Sequence, residues 1–114
     1  MDRILRLARE AGRIAEDKKA EDIAILDLRN ITTLTDSFVI CSVTNNRQAR
    51  AIAQEIQDKL ARLGLRLDHI EGYPDSNWIL MDYTDMVIHI FTKEVREYYD
   101  LEHLWGDAPR VELD

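Results

Sequence analysis

The sequence predicts an α/β (α+β) domain: one mixed sheet of about five strands with packing helices, in the order α-β-β-α-β-β-β-α. Three observations predict it. β-Branched and aromatic runs such as "SFVICSV" recur at strand length. The long amphipathic stretch "TNNRQARAIAQEIQDKLARLG" lies between such runs, and a helix so placed is the crossover that joins strands of one sheet. Two apolar runs meet at an acidic turn in "WILMDYTDMVIHIF", which reads as a hairpin.

Residues 2 to 17 place Ile4, Leu5, Ala8, Ala11, Ile14 and Ala15 at spacings of three and four, so they form an amphipathic helix with Asp2 as its cap or first-turn acid. A short strand follows over Ile23–Leu28, then the polar connection "RNITTLTD", then a second strand over Ser37–Val43. In the central helix Asn45 or Asn46 is the cap, Ala49, Ile52, Ala53, Ile56, Leu60 and Leu63 share one face, and Gly64 supplies the left-handed stop. "LRLDHIEG" alternates imperfectly, as an edge or half-buried strand does, and "YPDSN" is a turn. After the hairpin, "KEVREYYDLEHLW" forms a final helix or two short ones. Residues 1–106 make up the single domain, and 107–114 are expected to be a mobile C-terminal tail.

The hairpin sorts its residues into two faces. With the turn centred on Thr84 and Asp85, Trp78 pairs with Phe91, Ile79 with Ile90, Leu80 with His89, Met81 with Ile88, Asp82 with Val87 and Tyr83 with Met86. Ile79, Met81, Tyr83, Met86, Ile88 and Ile90 then share an apolar face, the core side. Trp78, Leu80, Asp82, Val87, His89 and Phe91 share the other, which mixes large apolar groups with one acid and one histidine. That face suits a covering helix, and it also has the composition of a protein-binding patch with a tryptophan anchor. A turn shifted by one residue would move one strand's set to the opposite face.

Composition narrows the classes of function. Twenty-two acids against fifteen bases give a formal charge of -7, which argues against a phosphate-backbone binder and suits a basic partner, though solubility alone also explains it. Cys41 is the lone cysteine and sits in an apolar run, so it reads as a small hydrophobe in a reducing compartment. The first residues lack a signal-peptide core and no run reaches membrane-spanning length, so a cytosolic protein is expected. Asp82, Asp85 and His89 have the chemistry to hold a divalent cation, but acids at hairpin turns are common for backbone reasons. The chain has no glycine-rich phosphate loop, H-E-x-x-H motif or nucleophile elbow. No catalytic residue, metal site or cofactor is therefore expected.

Four stretches in order resemble the ribosomal silencing factors, or Iojap-like proteins, and together they cover nearly the whole chain. They are "DIAILDL"; "TDSFVICSVTNNRQARAIAQEI", with Phe38, Cys41 and Arg47; "EGYPDSNWILMDYTDMVIHIF", with Glu71, Gly72, Trp78, Asp82, Asp85 and His89; and "REYYDLEHLWGDA", with Arg96, Tyr99, Glu102 and Trp105. The resemblance implies a nucleotidyltransferase-like fold without catalytic motifs and a homodimer when free. It also implies a translational repressor that binds the large ribosomal subunit through its fourteenth protein, blocking small-subunit association chiefly under nutrient limitation. Thr84 departs from the family's usual glycine, and threonine tolerates positive φ poorly, so a longer turn is the alternative there.

The partner-binding residues expected are Trp78, Leu80 and Asp82 at the centre, with Glu71, Asp85 and His89 nearby and Phe91 at the margin. The bland alternatives are structural: Leu80 and Phe91 as core, Glu71 as a turn cap, His89 as a satisfied cross-strand histidine. Neither direct nucleic-acid recognition nor membrane contact is expected. Two rival functions are a metal-dependent nucleotidyltransferase-like enzyme using Asp82 and Asp85, and a homodimerising scaffold module that buries the Trp78 face.

Overall fold

The computed structural model describes residues 3–113, so the predicted role of Asp2 lies outside the described residues. Helix α1 (Arg3–Asp17) is followed by strands β1 (Glu21–Asp27) and β2 (Ser37–Val43), helix α2 (Asn46–Arg62), and strands β3 (His69–Glu71), β4 (Trp78–Asp82) and β5 (Met86–Thr92). Two short helices, α3 (Lys93–Tyr99) and α4 (Leu101–Leu104), come after them. The strands form one sheet in the order β1-β2-β5-β4-β3. β2 and β5 run parallel and every other neighbouring pair is antiparallel, so the predicted mixed sheet of five strands is observed.

Helix α2 is bounded by the signals its sequence carries. The Asn45 side chain accepts the Gln48 N–H at 2.8 Å, and the Gln48 side chain accepts the Thr44 N–H at 2.9 Å, so both donors at the start of α2 are satisfied. At the other end Gly64 takes a φ of 87°, and Leu65 N–H reaches back to the Leu60 carbonyl at 2.8 Å. That six-to-one closure needs a left-handed residue, which glycine adopts without penalty.

α1 and α2 pack on one face of the sheet. Ala8, Ala11, Ile52, Ala53, Ile56 and Leu60 meet Ile25, Val39, Cys41, Ile79, Met81, Ile88 and Ile90 there, all essentially excluded from water. Burying each large aliphatic side chain in that layer contributes about 1.5–3 kcal/mol. The hairpin residues predicted to face the core do so, from Ile79 to Ile90. The opposite face is covered over only part of its area: α3, α4 and the residues after them bring Val95, Leu101, Trp105 and Ala108 over Ala24, Leu26, Leu28, Ile40 and Phe91.

Two stretches differ from expectation. "LRLDHIEG" contributes only the three residues of β3, because Leu65 and Leu67 turn toward the core from an extended segment outside the sheet. The segment expected as a tail packs along β1. Asp27 N–H donates to the Pro109 carbonyl at 2.8 Å, Val111 N–H donates to the Ile25 carbonyl at 2.9 Å, and Val111 and Leu113 join the core. β1 would otherwise be an open edge, and the apolar residues of this segment alternate so as to cover it.

Candidate docking site

The observed pairing of β4 with β5 matches the predicted register from Trp78↔Phe91 to Asp82↔Val87. Thr84 adopts a φ of 71°, and Asp85 N–H bonds the Tyr83 carbonyl at 2.8 Å, a γ-turn of the positive-φ kind. The tight turn therefore survives without glycine. Asp82 holds it, one carboxylate oxygen accepting the Thr84 N–H at 2.7 Å. Behind β4, Gly72 has a φ of 80°, and a Cβ there would lie 1.9 Å from the Trp78 carbonyl oxygen. Only glycine lets the β3–β4 connection pass that close.

On the outer face, the indole N–H of Trp78 donates to His89 Nδ1 at 3.1 Å. The Trp78 ring lies 4.6 Å from Tyr99 and 5.0 Å from Phe91, and Phe38 stands edge-on to His89 at 4.6 Å. Burial pushes the His89 pKa down to about 4, so the ring is neutral near pH 7. Beyond the reach of α3 and α4 the face opens into a hollow of about 290 Å³. Leu80, Val87 and Phe38 line it from the sheet, Leu34 and Thr35 from the loop before β2, and Trp105 from the end of α4. Leu34 is 79% exposed at the rim of this hollow. The carboxylates of Glu71 and Asp82 complete the lining, and Glu71 also pairs with His69 at 2.8 Å.

The expected site residues thus divide. Leu80, Asp82, His89 and Glu71 come together around the hollow. Trp78 is half-buried beside it, Phe91 is buried beneath the C-terminal helices, and Asp85 sits at the hairpin tip, its carbonyl accepting Asp36 N–H at 3.0 Å. Thr32, Leu34, Thr35, Phe38, Val87 and Trp105 line the hollow but are not among the expected interface residues. An apolar residue inside the polar "RNITTLTD" connection was the available signal for Leu34.

Other chemistry-bearing groups are occupied. Burial pushes the Cys41 thiol up to about 12, so it remains protonated. Arg96 clamps Glu102 through two hydrogen bonds of 2.9 and 2.8 Å and donates a third to Ser42 Oγ at 2.9 Å, which holds the Glu102 carboxyl below its usual range. Among the described residues, no group of three or more His, Cys, Asp or Glu side chains is placed to hold a metal ion. No helix of the described residues is long and apolar enough to cross a membrane.

A small α+β domain with a mixed five-stranded sheet, one face sealed by two helices and the other left partly open, defines the class of protein. Crystal structures of similar chains share the fold. A protein from Chromobacterium violaceum superposes with a TM-score of 0.87 at 36% identity, covering 93% of this chain and 88% of that one. A protein from Bacillus halodurans gives a TM-score of 0.78 at 38% identity over 96% of both chains. The profile of the family described as "Ribosomal silencing factor during starvation" matches residues 1–114, and the chain belongs to that family. The ribosomal silencing factor of Bacillus subtilis is 43% identical over 111 residues, 97% of this chain and 92% of that protein. The chloroplastic Iojap protein of Zea mays is 32% identical over 109 residues, 96% of this chain and 47% of that protein. Membership implies ribosome-associated regulation of translation.

Proposed function

We propose that this chain represses translation by docking its half-covered sheet face on the large ribosomal subunit, through the fourteenth ribosomal protein of that subunit. Occupying that surface blocks joining of the small subunit. Repression operates chiefly under nutrient limitation, in the cytoplasm, and the free protein is a homodimer. It makes and breaks no bond.

One observation carries this reading: an apolar hollow edged by Glu71 and Asp82 on a chain of formal charge -7, in a member of the silencing-factor family. Exposed apolar surface with an acidic border fits a basic protein surface, because apolar contact supplies affinity while charge selects the partner. The nucleotidyltransferase-like alternative finds less support. The carboxylate of Asp82 is engaged by the turn, and Asp85 points from a hairpin tip outside the hollow lining.

Sedimentation of purified subunits with the added chain tests the proposal. The expected result is separated subunits, with the chain travelling with the large one. Whole ribosomes forming normally, with the chain left at the top of the gradient, would exclude it. In the same assay Leu80→Ala should weaken binding by about 1–2 kcal/mol and Trp78→Ala by about 2 kcal/mol. The Trp78 variant also loses packing against Tyr99 and Phe91, so its melting temperature must be read beside its affinity.

A further inference from the structure

Three buried side-chain polar atoms lack a hydrogen-bond partner among the described residues: His89 Nε2, Thr35 Oγ1 and the Tyr83 hydroxyl. The first two belong to residues that line the same hollow, whereas Tyr83 lies in the layer against α1 and α2. Both atoms are shielded from solvent as the free chain stands; buried polar groups are nearly always paired, so two orphans beside one opening point to a partner that reaches them as the side chains of the hollow adjust on docking.

Its neighbour fixes the chemistry of His89. An indole N–H only donates, so Nδ1, 3.1 Å from Trp78 Nε1, must accept. The neutral ring therefore carries its proton on Nε2, on a side chain that is 3% exposed and has no acceptor for it. The walls around it are largely apolar, which disfavours an isolated water, and the carboxylates of Glu71 and Asp82 disfavour an anionic acceptor. A neutral carbonyl on a peptide meets both conditions.

We infer that His89 Nε2–H and the Thr35 hydroxyl recognise the main chain of a docked protein segment, His89 donating to a backbone carbonyl and Thr35 bonding a neighbouring peptide group. This rests on the docking reading above and adds what the hollow recognises: peptide backbone, beside the positive charge drawn by the acids. Trp78 serves here as a positioning residue, setting the tautomer that makes His89 a donor.

Asparagine and glutamine divide the two ends of the imidazole. His89→Asn keeps an oxygen near the Nδ1 position for Trp78 but has no donor at Nε2, whereas His89→Gln extends an N–H toward that point. Thr35→Val replaces the hydroxyl with a methyl of the same shape. In titrations of the full chain against purified large subunits, read by co-sedimentation, His89→Asn should bind about tenfold more weakly, with His89→Gln recovering part of the loss. Thr35→Val should bind several-fold more weakly.

If the unaltered chain sediments with large subunits and both His89→Asn and Thr35→Val match its affinity, the inference is overturned while the docking reading stands. If the unaltered chain does not sediment, both readings fall. Should His89→Asn melt early, Thr35→Val alone decides, and unchanged binding by it overturns the inference.

Discussion

Thr84 turns the β4–β5 hairpin with a φ of 71°, a region where a β-branched residue is strained by about 1–3 kcal/mol. Glycine removes the strain but widens the unfolded ensemble, so Thr84→Gly should stabilise the chain by about 1 kcal/mol net. A rise of roughly 4 °C in melting temperature would register it, and a fall would show that the threonine side chain has a favourable contact of its own. His89 sets a second expectation. Unfolded, its imidazole takes up a proton below its ordinary 6.5, whereas burial keeps the folded ring neutral down to about 4. Across that window the unfolded chain binds the extra proton, so stability is present above the upper value and is lost as pH falls toward the lower one. The loss approaches roughly 3 kcal/mol. Denaturant titrations at about pH 7 and about pH 4.5 should show a smaller drop for His89→Gln than for the unaltered chain, because glutamine has no proton to gain. Equal drops in the two would place the acid sensitivity elsewhere.

Among the elements, the hairpin was the most legible in the sequence. Apolar residues alternate on both of its strands, and the observed register lays Ile79, Met81, Ile88 and Ile90 on a common face, which a one-residue slip would break. The same alternation put Leu80, Asp82 and His89 together. How much of their face stays open was not legible, because that depends on where α3 and α4 fold back, and helices this short carry little periodicity of their own. The loop over residues 29–36 has no period at all, so Leu34 and Thr35 reach the hollow through tertiary packing alone. The segment after Asp107 alternates over too few residues to announce its pairing with β1. Removing it makes that pairing measurable. A chain ending at Asp107 should expose the Asp27 amide, which loses the Pro109 carbonyl, and speed its hydrogen exchange by about tenfold or more. The central amides of β5, flanked by β2 and β4, should keep their protection. Unchanged exchange at Asp27 would show that β1 does not depend on this cover.

For the whole molecule, a formal charge of -7 constrains where on a ribosome it can settle. RNA phosphates repel it, so a productive encounter needs a surface where basic protein side chains outweigh nearby phosphates. The two situations respond to salt with opposite sign. If Glu71, Asp82 and their neighbours meet Lys and Arg on a protein, added salt screens attraction and slows association. If the chain sits mainly against RNA, salt screens repulsion and association speeds up. Raising ionic strength from about 0.05 to about 0.5 M shrinks the Debye length from roughly 14 to 4 Å, enough to reduce the association rate about tenfold while leaving dissociation nearly unchanged. Glu71→Lys isolates the contribution of the hollow's border, since that side chain is 63% exposed and its contact among the described residues is the hydrogen bond with His69. The variant should associate more slowly at low salt and approach the rate of the unaltered chain at high salt. Stopped-flow measurement with labelled chain and purified large subunits reads both effects, and association that quickens with salt would remove the basic protein surface as the partner.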